Sequence, residues 1–397
     1  MSKVSVEASF SPENSKPVIR CAGRVDSENS SEFAGKLDEC FEEYPGDGLI
    51  LDLEKLEYIS SAGLRVLLNI KKRNRSIEII NTSPDVYDIF ETTGFVQLFS
   101  VSKKMKNVSV EGCEIIAQGA GGSVYRLDKD TIIKVFLPGE SLSVVQQERN
   151  TAQKAFLKGI PTAISYDVVR VGDSYGILYE MLKAQSMSKV LQEDSDRFER
   201  YAADYVDLLR QLHTTSADTD TFVSMKDIYH EAIDYSAKYF EDKYVRKCKA
   251  LIDSIPDRNT LIHGDLHPGN IMMTDAGMMM IDLSRMGIGH PIFDLLEMAA
   301  SHKNLAESNP AVAEMLIGPP EMLFRLWALT LKFYFPEKSE EELKHIETQL
   351  AGFARLANVI APYIGQTLSE EQIEGFLNEA RVNLFPIIDD LIGSVDW

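Results

Sequence analysis

The chain has 397 residues, more than one ordinary domain needs, and its 44% hydrophobic and 26% charged composition indicates a globular protein with large cores. A net charge of -20 and a pI near 4.8 argue against a nucleic-acid binder and disfavour an anionic membrane surface as partner. The start MSKVSVEASF lacks the apolar region of a signal peptide, and no run of about 18 apolar residues predicts a membrane span. The four cysteines show no metal-site spacing, which favours free thiols in a cytoplasmic protein.

The first hundred residues alternate between strand-like and helix-like patterns. VSVEASF alternates apolar and polar residues as a half-buried strand does, and further strands are predicted in KPVIRCAGRVD, GLILDL and SIEIINTS. Apolar residues at helical spacing, such as Phe33, Leu37 and Phe41, predict helices over 27–44, 61–75 and 84–94. The alternation predicts an α/β domain over residues 1–105, in which helices cover a sheet.

The segment LEYISSAGLRVLL at 56–68 places two serines directly after a buried strand and before a helix. Hydroxyls at a helix start cap free N–H groups, and a phosphate there would meet the positive helix end. With GRVD at 23–26 and TTGFVQLF at 92–99, the segment resembles the STAS domain of anti-sigma-factor antagonists. That resemblance implies a regulatory domain with a protein partner and a phosphorylation site at Ser61, although Ser60 stands where the family often has aspartate. A plain helix cap in a domain used only for docking is the alternative.

The polar segment 101–112 predicts a domain boundary, and a different pattern follows it. Hairpin-forming strands, a helix and two more strands are predicted, at 113–136, about 141–158 and 167–181. From about residue 187 the pattern is mostly helical. The second domain is therefore predicted to be α+β and to span residues 110–397.

Two features in the strand-rich part could meet phosphate. QGAGGSVY at 118–125 is a glycine-rich turn that lets the backbone approach a ligand, although an ordinary hairpin has the same pattern. Lys134 lies inside the apolar strand TIIKVF, where its charge needs a partner, and Glu148 in the following helix could supply one. The alternative is a lysine that extends to solvent from an edge strand.

The stretch LIHGDLHPGNIMM at 261–273 gathers polar side chains between apolar flanks, and MMMIDLSRMG follows at 278–287. Asn270 and Asp282 carry the hard oxygen ligands that Mg²⁺ prefers, and a turn over 274–277 would bring them near each other. Asp265 is then available to take a proton from an attacking hydroxyl. His263 and His267 are interpreted as hydrogen-bond donors that brace this loop, with a catalytic or metal role as the alternative.

Taken in order, these stretches resemble the aminoglycoside phosphotransferase and choline kinase group, which shares the protein-kinase-like fold. The resemblance implies a bilobal domain with an N-lobe over about 110–183 and a mostly helical C-lobe over about 184–397. It implies ATP and Mg²⁺ as cofactors. By position it assigns Asp265 as catalytic base and Asn270 and Asp282 as metal ligands, and Asp294 resembles the aspartate that braces the catalytic loop. The nucleotide-binding residues that it implies are Gly119, Gly121, Gly122, Ser123, Lys134, Glu148, Glu180 and Met181.

Departures from the pattern point away from protein kinases of the eukaryotic type. Ala117 stands at the usual first glycine, Gly264 replaces the arginine of the HRD motif, and Leu283 and Ser284 follow the metal aspartate in place of Phe-Gly. The leading hypothesis is therefore an ATP- and Mg²⁺-dependent phosphotransferase that acts on a hydroxyl of a small molecule. The alternatives are a regulatory kinase that phosphorylates a STAS serine, its own Ser61 or a partner's, and a non-catalytic nucleotide-sensing scaffold.

Overall fold

The computed structural model describes residues 4–11, 16–44, 48–72, 76–119, 121–364, 368–395 and 397. The chain divides into two compact units, Met1–Val108 and Ser109–Trp397. Within the described segments, no helix combines the length and the apolar character that crossing a membrane requires. The four cysteines, all of them described, carry free thiols.

A single five-stranded sheet forms the frame of the first unit. Its strands, in their order across the sheet, are β1 (Ser5–Ser11), β2 (Lys16–Val25), β3 (Gly48–Ile59), β4 (Ser76–Thr82) and β5 (Ser100–Lys103). β1 pairs antiparallel with β2, and the other neighbours pair in parallel. The start of the polar segment 101–112 therefore belongs to this sheet as its last strand.

Three helices cover the sheet of the first unit. They are α1 (Ser30–Glu43), α2 (Ser61–Lys72) and α3 (Pro84–Thr92). α1 buries Phe33, Leu37 and Phe41, which its helical spacing places on one face. α3 begins where the Ser83 hydroxyl accepts the Val86 N–H, with proline at the first helical position. The observed α/β architecture agrees with the fold predicted for this region.

The second unit begins with a five-stranded sheet in the order β6-β7-β8-β10-β9. All neighbouring strands in this sheet pair antiparallel. The strands are β6 (Glu114–Gly119), β7 (Gly122–Arg126), β8 (Thr131–Phe136), β9 (Ser165–Val171) and β10 (Ser174–Glu180). Between β8 and β9 runs the helix α4 (Leu142–Leu157), which Ser141 caps by accepting the Val144 N–H.

Two small sheets carry the polar stretch at 261–273 into the helical part of the second unit. Their strands are β11 (Ala184–Ser186), β12 (Thr260–Ile262), β13 (Ile271–Thr274), β14 (Gly277–Met280) and β15 (Gly287–Gly289). β13 and β14 form the predicted hairpin with Ile271 opposite Met280, β11 pairs with β13, and β12 pairs with β15.

The remainder of the second unit is mostly helical, as the sequence predicts. Its helices are α5 (Met187–Glu193), α6 (Phe198–Thr214), α7 (Met225–Ser236), α8 (Asp242–Asp253), α9 (Ile292–Met298), α10 (Leu305–Ser308), α11 (Pro310–Leu316), α12 (Pro320–Tyr334), α13 (Glu340–Ala354), α14 (Leu356–Ile364), α15 (Glu370–Glu379) and α16 (Ile388–Leu391). One large apolar core joins these helices to β12–β15. The segments that carry polar site residues therefore rest on a rigid helical base.

Candidate active site

Lys134 lies in β8, a central strand, so the alternative of a lysine on an edge strand is wrong. Its ammonium Nζ lies 2.8 Å from Oε1 of Glu148 on α4 and 3.1 Å from Oδ1 of Asp282. The side chains of Lys134 and Glu148 are 17% and 6% exposed, so their contact is largely shielded from water, whereas the Asp282 side chain is 38% exposed. The predicted Lys134–Glu148 pair forms, and a single ammonium group joins three segments that are distant in the chain.

The charges in this group support one another. Burial lowers the pKa of Lys134, but the carboxylates of Glu148 and Asp282 outweigh burial and hold that pKa above its usual value. Burial would raise the pKa of Asp282, yet Lys134 and the hydroxyl of Ser284, 3.0 Å away, hold it below its usual range. At neutral pH the site therefore holds a charged amine against an ionised Asp282.

The glycine-rich turn joins β6 to β7 as a hairpin in which Gly119 lies opposite Gly122. Gly122 has φ +139°, and a Cβ there would lie 2.0 Å from the Val135 carbonyl oxygen, so the fold itself requires glycine. At Gly119 and Gly121 a Cβ would meet no described atom within 4 Å. Ser123 accepts a 3.5 Å hydrogen bond from Gln118. The open space beside Gly119 and Gly121 leaves room for a ligand close to the backbone.

The loop that carries Asp265 follows β12 and is held from behind by Asp294. The buried carboxylate of Asp294 accepts the backbone N–H of His263 at 2.9 Å and of Gly264 at 2.8 Å. Gly264 has φ +78°, and a Cβ there would lie 2.4 Å from the Arg285 carbonyl oxygen. Glycine therefore replaces the HRD arginine at a position where a side chain does not fit.

Asn270 ends a 3-10 turn, Pro268–Asn270, that leads directly into β13. Its side-chain amide donates to the Asp265 carbonyl at 2.9 Å, and its own carbonyl accepts the Ile281 N–H at 2.9 Å. The Ile281 contact brings Asn270 beside the segment that leads to Asp282, as the predicted hairpin requires. Asp282 has φ +56°, a left-handed conformation that residues other than glycine seldom adopt and that often marks active sites.

The donor set around this loop fits Mg²⁺. The Asn270 amide nitrogen is engaged with Asp265, which leaves its oxygen for a cation, and Oδ2 of Asp282 is separate from the Oδ1 that contacts Lys134 and Ser284. Two hard oxygen ligands suit Mg²⁺, which keeps several waters and binds nucleotide phosphates. In the described part of the chain, no group of three or more His, Cys, Asp or Glu residues could hold a metal by itself.

The two histidines of the loop brace it, but only one does so as a donor. His263 Nε2 lies 3.1 Å from the Ile281 carbonyl, and its Nδ1 accepts the backbone N–H of Asp265 at 3.3 Å. His267 accepts the Gly269 N–H through Nδ1 at 3.1 Å, so its prediction as a donor is wrong for the contact that it makes. Burial lowers the pKa of His267, which keeps its ring neutral and able to accept.

Glu180, which the family resemblance assigns to nucleotide binding together with Met181, is the last residue of β10, and Met181 follows it. The Met181 N–H donates to the Asp130 carbonyl at 2.8 Å, and the Glu180 N–H donates to the Ile164 carbonyl at 3.0 Å. Glu180 also accepts the Ile164 N–H through Oε1 at 2.8 Å. Both backbone donors of this segment are therefore engaged within the protein. The role of Glu180 and Met181 toward a nucleotide stays a prediction.

A sequence profile of the phosphotransferase enzyme family, APH, matches residues 112–323, which is more than half of the chain. The chain belongs to this family. A STAS domain profile matches residues 7–109. The phosphotransferase therefore carries a STAS domain before its APH region, and its second unit has the kinase-like fold of that family.

Part of the chain is also similar in sequence to a curated protein. Over 58 residues the phosphotransferase is 41% identical to a protein named as an anti-sigma factor antagonist, BtrV, of Bordetella bronchiseptica. That match covers 14% of this chain and 50% of the relative, so the chain spans about half the length of the curated relative it matches.

Solved structures similar to this phosphotransferase include ADP-bound aminoglycoside phosphotransferase APH(2'')-Ib, at 14% identity and a TM-score of 0.46, covering 68% of this chain and 92% of that one. Another is amicoumacin kinase hAmiN in complex with AMP-PNP, Ca²⁺ and Ami, at 15% identity and a TM-score of 0.47, covering 72% of this chain and 90% of that one. A third is a choline/ethanolamine kinase family protein from Mesorhizobium loti, at 14% identity and a TM-score of 0.44, covering 71% of this chain and 92% of that one. Likeness at this level gives no information on the substrate of this chain.

Sequence reasoning missed Arg285, which lies beside the predicted base of the phosphotransferase. Its guanidinium nitrogen Nη1 is 3.9 Å from Oδ1 of Asp265. Burial opposes its charge, but Glu297 and Asp265 hold the pKa of Arg285 above its usual value. The Tyr229 hydroxyl donates at 2.9 Å to Glu297, the carboxylate that stabilises the charge of Arg285. The available signal was an arginine only three residues after Asp282.

In the STAS domain the cap at the start of α2 is Ser60. Its hydroxyl is 3.4 Å from the Gly63 N–H, and its carbonyl accepts the Leu64 N–H at 2.9 Å. Ser61 is the first helical residue and is exposed. Of the two adjacent serines, Ser60 therefore caps the helix. The exposed hydroxyl leaves phosphorylation of Ser61 as a prediction.

Proposed function

We propose that this protein transfers the γ-phosphate of ATP, with Mg²⁺, to a hydroxyl of a small molecule such as a sugar, an amino alcohol or an aminoglycoside-like compound. The observation that carries the proposal is the contact of Lys134 with both Glu148 and Asp282, beside a loop that holds Asp265 and Asn270. An amine, two oxygen ligands for a metal and a separate carboxylate are the parts that phosphoryl transfer needs.

Each group has one task in this proposal. Lys134 and the backbone beside Gly119 and Gly121 hold the nucleotide phosphates. Asn270 and Asp282 hold Mg²⁺, which supplies charge neutralisation on the phosphates when bound. Asp265 accepts the proton of the acceptor hydroxyl while the acceptor oxygen bonds to the γ-phosphorus and the bond to the β–γ bridging oxygen breaks. The products are a phosphate ester and ADP.

Electrostatics favour a positively charged acceptor within the proposed range. The chain carries a net charge of -20, which raises the local concentration of cations near its surface. Amino alcohols and aminoglycoside-like compounds combine an ammonium group with a hydroxyl. They are therefore the first compounds to test.

The test is a screen of hydroxyl compounds with γ-labelled ATP and Mg²⁺, run in parallel on the wild type and on Asp265→Asn. We expect label in an acceptor with the wild type and a loss of about a hundredfold or more with the variant, because the base can no longer take the proton. Equal transfer by both proteins would contradict the assigned role. If the wild type turns over no nucleotide, the alternative of a non-catalytic nucleotide-sensing scaffold is favoured.

A second candidate function is regulatory: the APH domain phosphorylates a STAS serine, its own Ser61 or one on a partner protein. The observation that favours it is the exposed Ser61 hydroxyl at the start of α2, left free of capping because Ser60 serves as the cap. Mass spectrometry of the wild type and of Ser61→Ala after incubation with Mg-ATP tests self-phosphorylation. An unmodified Ser61 peptide, together with turnover of a small alcohol, would exclude the self-directed form.

A further inference from the structure

A continuous set of hydrogen bonds, part-buried at Tyr334 and buried at His213 and Asp294, leads from helix α12 to the loop that carries Asp265. The hydroxyl of Tyr334, the last residue of α12, is 2.8 Å from Nδ1 of His213 on α6. Nε2 of His213 is 3.0 Å from Oδ2 of Asp294, the carboxylate that accepts the N–H groups of His263 and Gly264. Both His213 and Asp294 are buried, with side chains 2% and 0% exposed.

The direction of these hydrogen bonds follows from the charge on Asp294. Burial would raise the pKa of Asp294, but its bonds to His213 and to the loop overcome this and hold that pKa below its usual value. An ionised Asp294 can only accept, so Nε2 of His213 carries a proton and donates. Nδ1 of the same ring makes the second hydrogen bond, with the Tyr334 hydroxyl.

The set ends at the predicted base. His263, whose N–H is bound by Asp294, accepts the Asp265 N–H through its ring, and Asn270 donates to the Asp265 carbonyl. The N–H and the carbonyl of Asp265 are therefore both held by side chains of the same loop, so their positions depend on the loop conformation. Loosening the loop would move the Asp265 carboxylate without removing any group that touches a nucleotide.

We propose that Tyr334 is a positioning residue, which acts on the catalytic loop through His213 and Asp294 and so sets the geometry of Asp265. This inference rests on the proposed phosphotransferase function. The Tyr334 hydroxyl can be removed without releasing α12 from α6, because Arg210 donates to the carbonyl oxygens of Phe333 and Tyr334. A Tyr334→Phe variant therefore tests the hydroxyl and leaves the helix packing in place.

The chain offers a matched control in Tyr205, which lies on α6, is fully buried and directs its hydroxyl to the sulfur of Met298 at 3.9 Å. Tyr205→Phe removes a buried hydroxyl that lies near the Asp294 charge but makes its described hydrogen bond to Met298, outside the set that leads to the loop. At His213, Gln keeps an N–H that can reach Asp294, whereas Leu keeps none. His213→Gln should therefore preserve more of the loop geometry than His213→Leu.

Two measurements on the full-length variants separate positioning from general stability. The first is hydrogen–deuterium exchange at the His263 and Gly264 amides, which needs no substrate. The second is hydrolysis of Mg-ATP without acceptor, with water as nucleophile. For Tyr334→Phe we expect exchange at these two amides to be about tenfold faster. We expect kcat to be about tenfold lower, with KM for ATP within about twofold of the wild type.

Tyr205→Phe should change neither the amide exchange nor kcat. His213→Leu should speed the exchange and lower kcat more than His213→Gln does. Faster exchange spread evenly over residues 109–397 would overturn the proposal, because it would mean a loss of overall stability. So would amides in Tyr334→Phe that exchange as slowly as those in Tyr205→Phe. If the wild type turns over Mg-ATP neither with water nor with any compound of the hydroxyl screen, the proposed function fails, and the exchange measurement still decides whether the Tyr334 hydroxyl helps to fix the loop.

Discussion

Lys134 shows how one residue can determine whether a site exists. Its ammonium group contacts the carboxylates of both Glu148 and Asp282, which would otherwise lie near each other without a neutralising charge. Two unpaired carboxylates in such a position repel each other and raise each other's pKa. The same ammonium group is proposed to meet the nucleotide phosphates.

Replacing Lys134 with Met should therefore abolish nucleotide use. We expect a loss of about a hundredfold or more in kcat/KM for ATP, since a preorganised charge contributes this much to transition-state stabilisation. Isothermal titration with a non-hydrolysable ATP analogue gives the binding share of the loss. The control is Lys129→Met, because that lysine is 89% exposed on the turn between β7 and β8. Similar losses in both variants would contradict the assigned role of Lys134.

We expect His302 to lower the stability of the fold at low pH. It lies fully buried in a π-helical turn, Ala299–Asn304, with Nε2 lacking a partner among the described residues, and burial lowers its pKa to about 3. The unfolded chain, with a pKa near 6.5, binds a proton more readily, so the folded state loses stability as the pH falls from about 6.5 towards 3. At pH 5 the loss relative to pH 7.5 is about 2 kcal/mol.

The variant His302→Leu should lack this contribution. Urea unfolding at pH 7.5 and pH 5.0 measures it: the drop in the free energy of unfolding between the two pH values should be about 2 kcal/mol smaller in the variant. Comparing the two drops cancels the carboxylates that both proteins share. An equal drop in the two proteins would mean that His302 is protonated within the fold.

At the residue scale, the sequence predicts chemistry better than geometry. The types and spacing of Asp265, Asn270 and Asp282 indicate their proposed roles, because few cores gather such side chains without a reason. Arg285 could not be predicted, since its proximity to Asp265 depends on how the segment after Asp282 folds back. The sequence also predicted a helix cap at the pair Ser60 and Ser61 without deciding between them, because two adjacent serines are chemically equivalent until the exact helix start is known.

At the scale of single elements, the hairpin of β6 and β7 depends on one glycine. A Cβ at Gly122 would lie 2.0 Å from the Val135 carbonyl oxygen, whereas one at Gly121 would meet no described atom within 4 Å. We expect Gly122→Ala to separate β7 from β8 and to weaken binding of an ATP analogue at least tenfold, because the strand that carries Lys134 is displaced. Gly121→Ala should keep the thermal stability of the wild type, because the fold leaves room for its Cβ.

Calorimetric titration and thermal unfolding of both variants check this expectation. Equal behaviour of the two variants would show that the hairpin can shift to accept a Cβ at Gly122. A larger effect of Gly121→Ala would indicate instead that the ligand, and not the fold, limits side chains in this turn.

Periodicity predicted the long elements and failed where register changes. The strand predicted over 48–53 continues to Ile59, and its later buried residues, Leu53, Leu56 and Ile59, are three apart. Irregularities in the pairing of β2 with β3 shift the register there, so the usual alternation of two is lost. β11, β12 and β15 are only three residues long, and such strands form through partners distant in the chain, which no local pattern reveals.

At the scale of the whole molecule, the two units have separate apolar cores. The buried cluster of the first unit, between Val4 and Phe99, draws only on its own residues, and the cores of the second unit begin at Phe136. A unit that closes its own core can fold alone. The fragment 1–108 should therefore unfold cooperatively in urea, with a free energy of unfolding on the order of 5 kcal/mol.

The end of this fragment is itself testable, because β5 lies inside the polar segment that the sequence marks as a boundary. The Thr82 hydroxyl, fully buried, donates to the Ser102 carbonyl at 2.9 Å, and the Lys104 N–H donates to the Thr82 carbonyl at 2.8 Å. A fragment 1–99 lacks β5 and leaves these groups of Thr82 without partners.

An unsatisfied buried group costs about 1–3 kcal/mol, and the exposed edge of β4 adds to the loss. We expect the fragment 1–99 to be at least 2 kcal/mol less stable than 1–108, or to be unfolded, by urea denaturation followed with circular dichroism. Equal stability of the two fragments would mean that β5 is dispensable and that the first domain ends before residue 100. Failure of both to unfold cooperatively would contradict the independence of its core.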